Sequence, residues 1–380
     1  MIEMAKQQRR NRVLFYIALF MPLLGVNILA YAYLLIFLVL NMVNARKKTR
    51  RGILIGMAVA FFFLVKYLQT GSLENTRIIM QYYFGVVLFC FYLDRTDTVL
   101  LDIDKLIKVL CYEIIIEAVL VNTILPASVL PNYTEAYIQH SSYQRPMSIG
   151  CNTTVTATIL CMLLAYREML RKKSVLFVDE KLDILGGLTI IVLASGMGIG
   201  LWCLYFAYRM KGSFTAKNIK LVMVFVLLLF SLSFVPLVRE ALFKHLLGDD
   251  EDSAGLTEFK AEETERYFTA LTGFSNWIGL DFKSMPLLTQ GDIAYIEMYL
   301  SIGVVGVLLF ILIVTNYFNK YNWLPVLLGL IGIYHYGGIF SMPGQLVFAY
   351  CLLFNAKKIQ VLVQYKVIGL MNTNIRQKKT

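Results

Sequence analysis

Apolar runs long enough to cross a hydrocarbon core of roughly 30 Å recur along the whole chain, separated by short polar or charged segments. The first, Val13 to Val43, is preceded by Arg9, Arg10 and Arg12 and followed by Arg46, Lys47, Lys48, Arg50 and Arg51. Lys and Arg accumulate in cytoplasmic loops, so both ends belong on one side and the run folds as a two-helix hairpin. Its tip lies near Pro22, Gly25 and Asn27. Spans follow near residues 53–68 and 78–93, joined outside by Gln69–Arg77. After an inner loop, Asp94–Lys105, a span near 106–125 leads to the outer segment Pro126–Gly150, and residues 152–166 return to the basic Arg167–Lys181. Leu182–Tyr208 again has positive clusters at both ends and divides into two short spans meeting outside near Ser195–Gly198. A span at 221–237 opens the longest polar segment, and residues 293–318 return. Asn319–Asn322 makes a tight inner turn, and 323–341 and 345–355 form the last pair.

The pattern predicts an all-α polytopic membrane protein of about twelve transmembrane helices. It forms one integral membrane domain over 1–380, with a long extracytoplasmic loop at 238–291 and a tail at 356–380. Both termini are expected to be cytoplasmic, because most Lys and Arg then fall at inner segments. The visible absence of a repeat of about 20–50 residues argues against transporter folds built from duplicated halves.

Composition agrees. The chain is 58% hydrophobic and 16% charged, against about 45–50% apolar for a soluble domain. A net charge of +11 would suit nucleic acid if it formed a basic face on a soluble fold. Here the basic clusters punctuate apolar segments, so nucleic acid is not the expected partner. Cys90, Cys111, Cys151, Cys161, Cys203 and Cys351 mostly sit inside apolar runs without C-x-x-C spacing, which excludes a zinc or disulfide framework as the reading. The basic start leads into an apolar run too long for a cleavable signal.

Candidate chemistry concentrates in the outer segments. Arg145, in Tyr143-Gln-Arg145-Pro-Met-Ser-Ile-Gly150-Cys-Asn152, stands at headgroup level. It is either a bidentate grip on phosphate oxygens or a snorkelling interfacial arginine. In the long segment, Tyr267, Leu271 and Phe274 are spaced for a short surface helix with Arg266 at its start. The acidic run Asp249–Asp252 lacks the Gly and spacing of a calcium loop and reads as solvated. At the re-entry point Asp292 and Glu297 are either general bases raised by partial desolvation or structural partners for arginine. Within the spans, Glu113 and Glu117 share a helix face and Lys66 lies in another helix. These are either an internal ion pair, Lys66 with one glutamate, or a proton or cation path. His335 is either a catalytic group or a hydrogen-bonded structural one.

These segments resemble the Wzy-type O-antigen polymerase and O-antigen ligase superfamily. Arg145–Asn152 looks like its arginine-to-asparagine motif, and Ala194-Ser195-Gly196 like its Ser-Arg-Gly turn, with Gly196 replacing the arginine. Arg266, Ala270 and Trp277-Ile-Gly279 look like its long-loop motif, and Asp292 to Gly306 like the following span. Ligases of this superfamily are expected to carry a histidine where Asp292 stands, which favours a polymerase.

The resemblance implies a GT-C-like glycosyltransferase in the bacterial cytoplasmic membrane. Its donor and acceptor would be undecaprenyl-diphosphate-linked oligosaccharides, with a chain-length regulator and a flippase as partners. Arg145 and Arg266 would hold the diphosphate, Asp292 would be the base with Glu297 and His335 as alternatives, and Asn152, Ser195 and Trp277 would be further substrate contacts. No cofactor is expected, and with Asp102-Ile-Asp104 on the inner side and only Glu74 in the early outer segments, transfer is expected to be metal-independent. The competing readings are an O-antigen ligase and a lipid-linked oligosaccharide flippase.

Overall fold

A computed structural model describes residues 12–24, 50–95, 102–126, 129–130, 143–172, 181–210, 273–280, 294–334 and 337–353, with 265, 268–269 and 271. Regular structure among these is helical throughout: α1 (12–20), α2 (Arg50–Thr70), α3 (Leu73–Arg95), α4 (Ile103–Thr123), α5 (Thr153–Lys172), α6 (Lys181–Val192), α7 (Gly196–Met210), α8 (Phe274–Ile278), α9 (Ala294–Tyr317), α10 (Trp323–Gly332) and α11 (Met342–Leu352). The second arm of the first expected hairpin, the span at 221–237, most of 238–291 and the tail lie outside the described residues. Two of the described helices, α5 and α9, are long and apolar enough to cross a membrane by themselves.

The helices start and stop where charge and turn chemistry dictate. Asp102 caps α4, its carboxylate accepting from the Lys105 N–H at 3.2 Å. Ser341 caps α11, accepting from the Gly344 N–H at 3.1 Å, with Pro343 in the first turn where its missing N–H costs nothing. One expectation is corrected: the span expected over 323–341 ends as a helix at Gly332. A Cβ on Gly332 or Gly338 would strike Thr158, and Gly337 has φ +54°, so the chain turns back against α5 before α11 begins.

Alternating helix direction can be read from one end of the bundle. There the start of α4 (Asp104), the end of α5 (Arg167), the start of α6 (Asp183) and the end of α7 (Tyr205, Arg209) meet. The Arg167 guanidinium donates to Asp104 at 2.7 Å and to Asp183 at 3.0 Å, the Tyr205 hydroxyl donates to Asp183 at 2.6 Å, and Arg209 pairs with the other Asp183 oxygen. At the same end Asn322, fully buried before α10, donates to the Leu352 carbonyl at 2.7 Å where α11 finishes. Helices beginning here run to the opposite end, where the candidate site lies. Following those directions, Lys66, Arg77 and Arg145 are the described basic residues on the opposite side, and the others gather at the charged end.

Helix α5 is the hub: residues 153–170 are buried without interruption, surrounded by α4, α6, α7, α10 and α11. Close approach is allowed by small residues. A Cβ on Gly198 of α7 would lie 2.5 Å from the Ala157 Cβ. The outer helices are inverted relative to a soluble protein. On α2, Leu54, Met57, Phe61, Leu64 and Leu68 form an exposed stripe while Ile55, Phe62 and Lys66 are buried. On α4, Val109, Tyr112, Ile116 and Val119 are exposed, and on α9 so are Val305, Leu308, Ile311 and Leu312.

Candidate functional site

Two strained turns sit side by side at the end opposite the charged cluster. The first runs from Tyr143 through the 3₁₀ turn Ser148–Gly150 into α5. The second, 193–195, joins α6 to α7. Ser148 (φ +52°), Cys151 (φ +51°) and Ala194 (φ +48°) are the non-glycine residues with left-handed backbone among the described residues, and all three fall in these turns. Such conformations persist only where the surroundings over-determine them.

The surroundings can be named. The two oxygens of the Glu117 carboxylate accept from the Met147 and Ser148 N–H groups at 3.0 and 2.9 Å. Ser148 Oγ donates to Glu113 at 2.5 Å, and Thr156 Oγ donates to the Met147 carbonyl at 2.7 Å while accepting from the Gly150 N–H at 3.1 Å. One turn further along α4, Asn122 grips Gln144 from both sides: Gln144 N–H to Asn122 Oδ1 at 3.0 Å, and Asn122 Nδ2 to the Gln144 carbonyl at 2.8 Å.

The two turns are tied to each other. Thr154 Oγ and Ser195 Oγ are 3.0 Å apart, and the Tyr143 hydroxyl donates to the Val192 carbonyl at 2.7 Å. Burial pushes the Tyr143 phenol up to about 12, against the pull of the Arg145 guanidinium, so it remains a donor at physiological pH. Half-buried Arg145 thus stands between the anchors at Gln144 and at Met147 and Ser148. Its turn leads into the N-terminus of α5 and is bonded to the turn that leads into α7, and the dipoles of both helices favour an anion at this end.

Asn152 and Ser195, expected as substrate contacts, work as helix caps. Asn152 Oδ1 accepts from the Thr154 and Val155 N–H groups at 2.8 and 3.4 Å, and Ser195 Oγ accepts from the Gly198 N–H at 3.2 Å.

The third and fourth expected motifs also meet. Helix α9 breaks at Gly303 (φ +61°, ψ −172°), and the end of α8 enters the break: the Leu280 N–H donates to the Leu300 carbonyl at 2.6 Å. Two side chains of α2, one helical turn apart, hold the entering strand of chain by three successive carbonyls. Lys66 Nζ donates to Ile278 and Leu280 at 2.9 and 2.7 Å, and Gln69 Nε2 donates to Gly279 at 2.6 Å. This corrects the expected pairing of Lys66 with Glu113 or Glu117. Among the described residues no ion pair joins them, because each glutamate faces the Ser148 turn and Lys66 faces α8. Residues 265 and 268–269 are helical where the short surface helix is expected, with Arg266 and Tyr267 outside the described residues; a further short helix, Phe274–Ile278, follows, and Leu271 is buried against Leu300.

Trp277 is exposed beside exposed Phe274. Glu297 is buried near the start of α9, within electrostatic reach of Tyr82 and Tyr83. Arg266, Asp292 and His335 lie outside the described residues, although Ala294, two residues after Asp292, approaches Gly337, two residues after His335. Sequence reasoning missed Glu117 and Asn122 as anchors, Thr154 and Gln69. Only Asn152 and Ser195 carried a usable signal, as cap residues directly before a helix. No family model, no curated protein and no solved structure matches the chain.

Proposed function

We propose that the chain is a membrane-embedded glycosyltransferase of GT-C-like architecture, a polysaccharide polymerase of Wzy type. It would transfer a growing glycan from undecaprenyl diphosphate to a lipid-linked repeat unit at the outer face of the bacterial cytoplasmic membrane, without metal. The observation that carries this reading is the Arg145 turn: an arginine on an over-determined backbone, in a turn that leads into one helix N-terminus and is bonded to the turn leading into another, where a leaving diphosphate would develop charge. The twelve-crossing topology remains part of the proposal. It is supported by the exposed apolar stripes of α2, α4 and α9, which are unusual against water and suited to lipid, and by the gathering of basic residues at the charged end, which the positive-inside rule makes cytoplasmic.

In this reading Arg145 and Arg266 hold the diphosphate. Asp292 takes the acceptor hydroxyl proton, with Glu297 and His335 as the alternative bases, and Trp277 and Phe274 offer aromatic faces to a sugar. The test is the length distribution of polymer made from lipid-linked repeat units by purified protein. Arg145→Lys and Arg266→Lys keep the charge but lose the planar fork, and polymer is expected to shorten or vanish at unchanged protein level. Normal polymer from both variants would end the clamp. Normal polymer from Asp292→Asn would move the base to Glu297 or His335.

A flippase is the second reading, favoured by the break in α9, since discontinuous helices build the sites of many transporters. Translocation of lipid-linked repeat units across vesicles without any lengthening would decide for it.

A further inference from the structure

We infer that Glu117 and Asn122 are positioning residues for Arg145, fixing the backbone on either side of it so that the guanidinium meets an anionic headgroup in one orientation. The inference rests on the diphosphate reading above and adds how that site is built. Five residues of α4, about 7.5 Å of helix, separate the two anchors. Asn122 fixes Gln144, immediately before Arg145, through two hydrogen bonds. Glu117 fixes Met147 and Ser148, two and three residues after it, through both carboxylate oxygens. Between them lie only Arg145 and Pro146, and proline has a fixed φ. The arginine Cα therefore has little freedom, and what varies is the side chain alone.

This arrangement differs from ordinary loop anchoring in two respects. The acceptor at Met147 and Ser148 is one carboxyl group whose two oxygens take two successive backbone N–H groups, which fixes the orientation of the backbone as well as its position. It is applied at Ser148, whose left-handed backbone (φ +52°) is a cost that such a bond offsets. A merely structural tether needs neither a two-oxygen grip nor a strained residue. A site that must present a fork at fixed angle to phosphate oxygens uses both.

The experiment measures binding of undecaprenyl diphosphate to the full-length protein in nanodiscs, with undecaprenyl monophosphate as the comparison lipid. Glu117→Gln keeps the side-chain length but turns an NH2 group toward one of the two backbone donors. Asn122→Ala removes the other anchor at an exposed position, leaving the half-buried carboxyl groups of Glu113 and Glu117 untouched. Each is expected to weaken diphosphate binding up to about tenfold, the scale of one hydrogen bond lost. Neither is expected to weaken it further in an Arg145→Gln background, because residues acting through one another are not additive. Equal further losses in that background, or wild-type binding by both variants, would overturn the inference and leave the diphosphate reading standing. Failure of the wild-type protein to prefer the diphosphate lipid would overturn both.

Discussion

Gly303 and Gly279 meet backbone to backbone. A Cβ on Gly303 would lie 2.5 Å from the Gly279 amide nitrogen, and one on Gly279 would strike the Ser301 carbonyl. Both have positive φ, +61° and +82°, so neither position has room for a side chain or a conformation that would accept one. The broken helix and the segment that enters it are therefore a single structural feature.

Gly303→Ala is expected to cost about 1–3 kcal/mol from the backbone conformation alone, before α8 is displaced. Thermal unfolding in detergent should show a lowered midpoint, with loss of activity. Gly200→Ala is the control: its Cβ would meet nothing within 4 Å, and in a helix interior alanine is favoured by about 1 kcal/mol. Equal midpoints for Gly303→Ala and wild type would contradict the packing described.

Asp183→Asn leaves the Arg167 and Arg209 guanidinium groups facing each other around a neutral amide. Breaking one partner of a buried pair costs about 3–5 kcal/mol, so folded yield should collapse. Asp104→Asn touches the same Arg167, but at a carboxylate 31% exposed, where an ion pair contributes about 0–1 kcal/mol. The measurement is the unfolding midpoint of both variants, and a larger effect at Asp104 would reverse the assignment.

Lys66→Met and Gln69→Leu each remove donors from the carbonyls of Ile278, Gly279 and Leu280. Faster hydrogen exchange is expected at the Leu280 amide, whose bond to Leu300 depends on the strand of chain being held. The double exchange Lys66→Glu with Glu117→Lys should rescue neither single change. Rescue by that exchange would restore the pairing that the sequence suggested and the geometry corrects.

Tyr143 couples the two strained turns to pH. An unfolded phenol titrates near 10, and burial raises the folded group to about 12, so folding favours the protonated form. Its contribution is complete below pH 10 and falls as pH rises through 12. Unfolding midpoints at pH 9 and pH 11 should therefore differ more for wild type than for Tyr143→Phe. Identical differences would remove the hydroxyl's bond to Val192 from the account.

The helices were legible because apolar runs bounded by charge set both their position and direction. The short pair α6 and α7 follows from positive clusters at both ends of Leu182–Tyr208, and the break between them falls at Leu193–Ser195, beside the expected turn. What was hidden has a common physical cause. Lys66 binds backbone carbonyls more than two hundred positions away, and a carbonyl carries no sequence signature. Ser148, Cys151 and Ala194 adopt backbone conformations that sequence normally announces by glycine, so nothing marked them. Asn152 and Ser195 were visible, but as caps they first serve α5 and α7. The α10 boundary was also available in Gly332, Gly337, Gly338 and Pro343, and was overridden by the length of the apolar run.

The ion-paired end also has a mechanical meaning. Three helices are pinned there through Asp183 and the fourth, α4, through Arg167, which makes that end a fulcrum. A helix of 21 residues is about 30 Å long, so a tilt of about 5° at the fulcrum carries the far end by about 2.6 Å, close to one hydrogen-bond length. Small angular play at Asp183 is thereby amplified at Glu117 and Thr154, and a loosened fulcrum would disperse the Arg145 turn without any residue near it having changed.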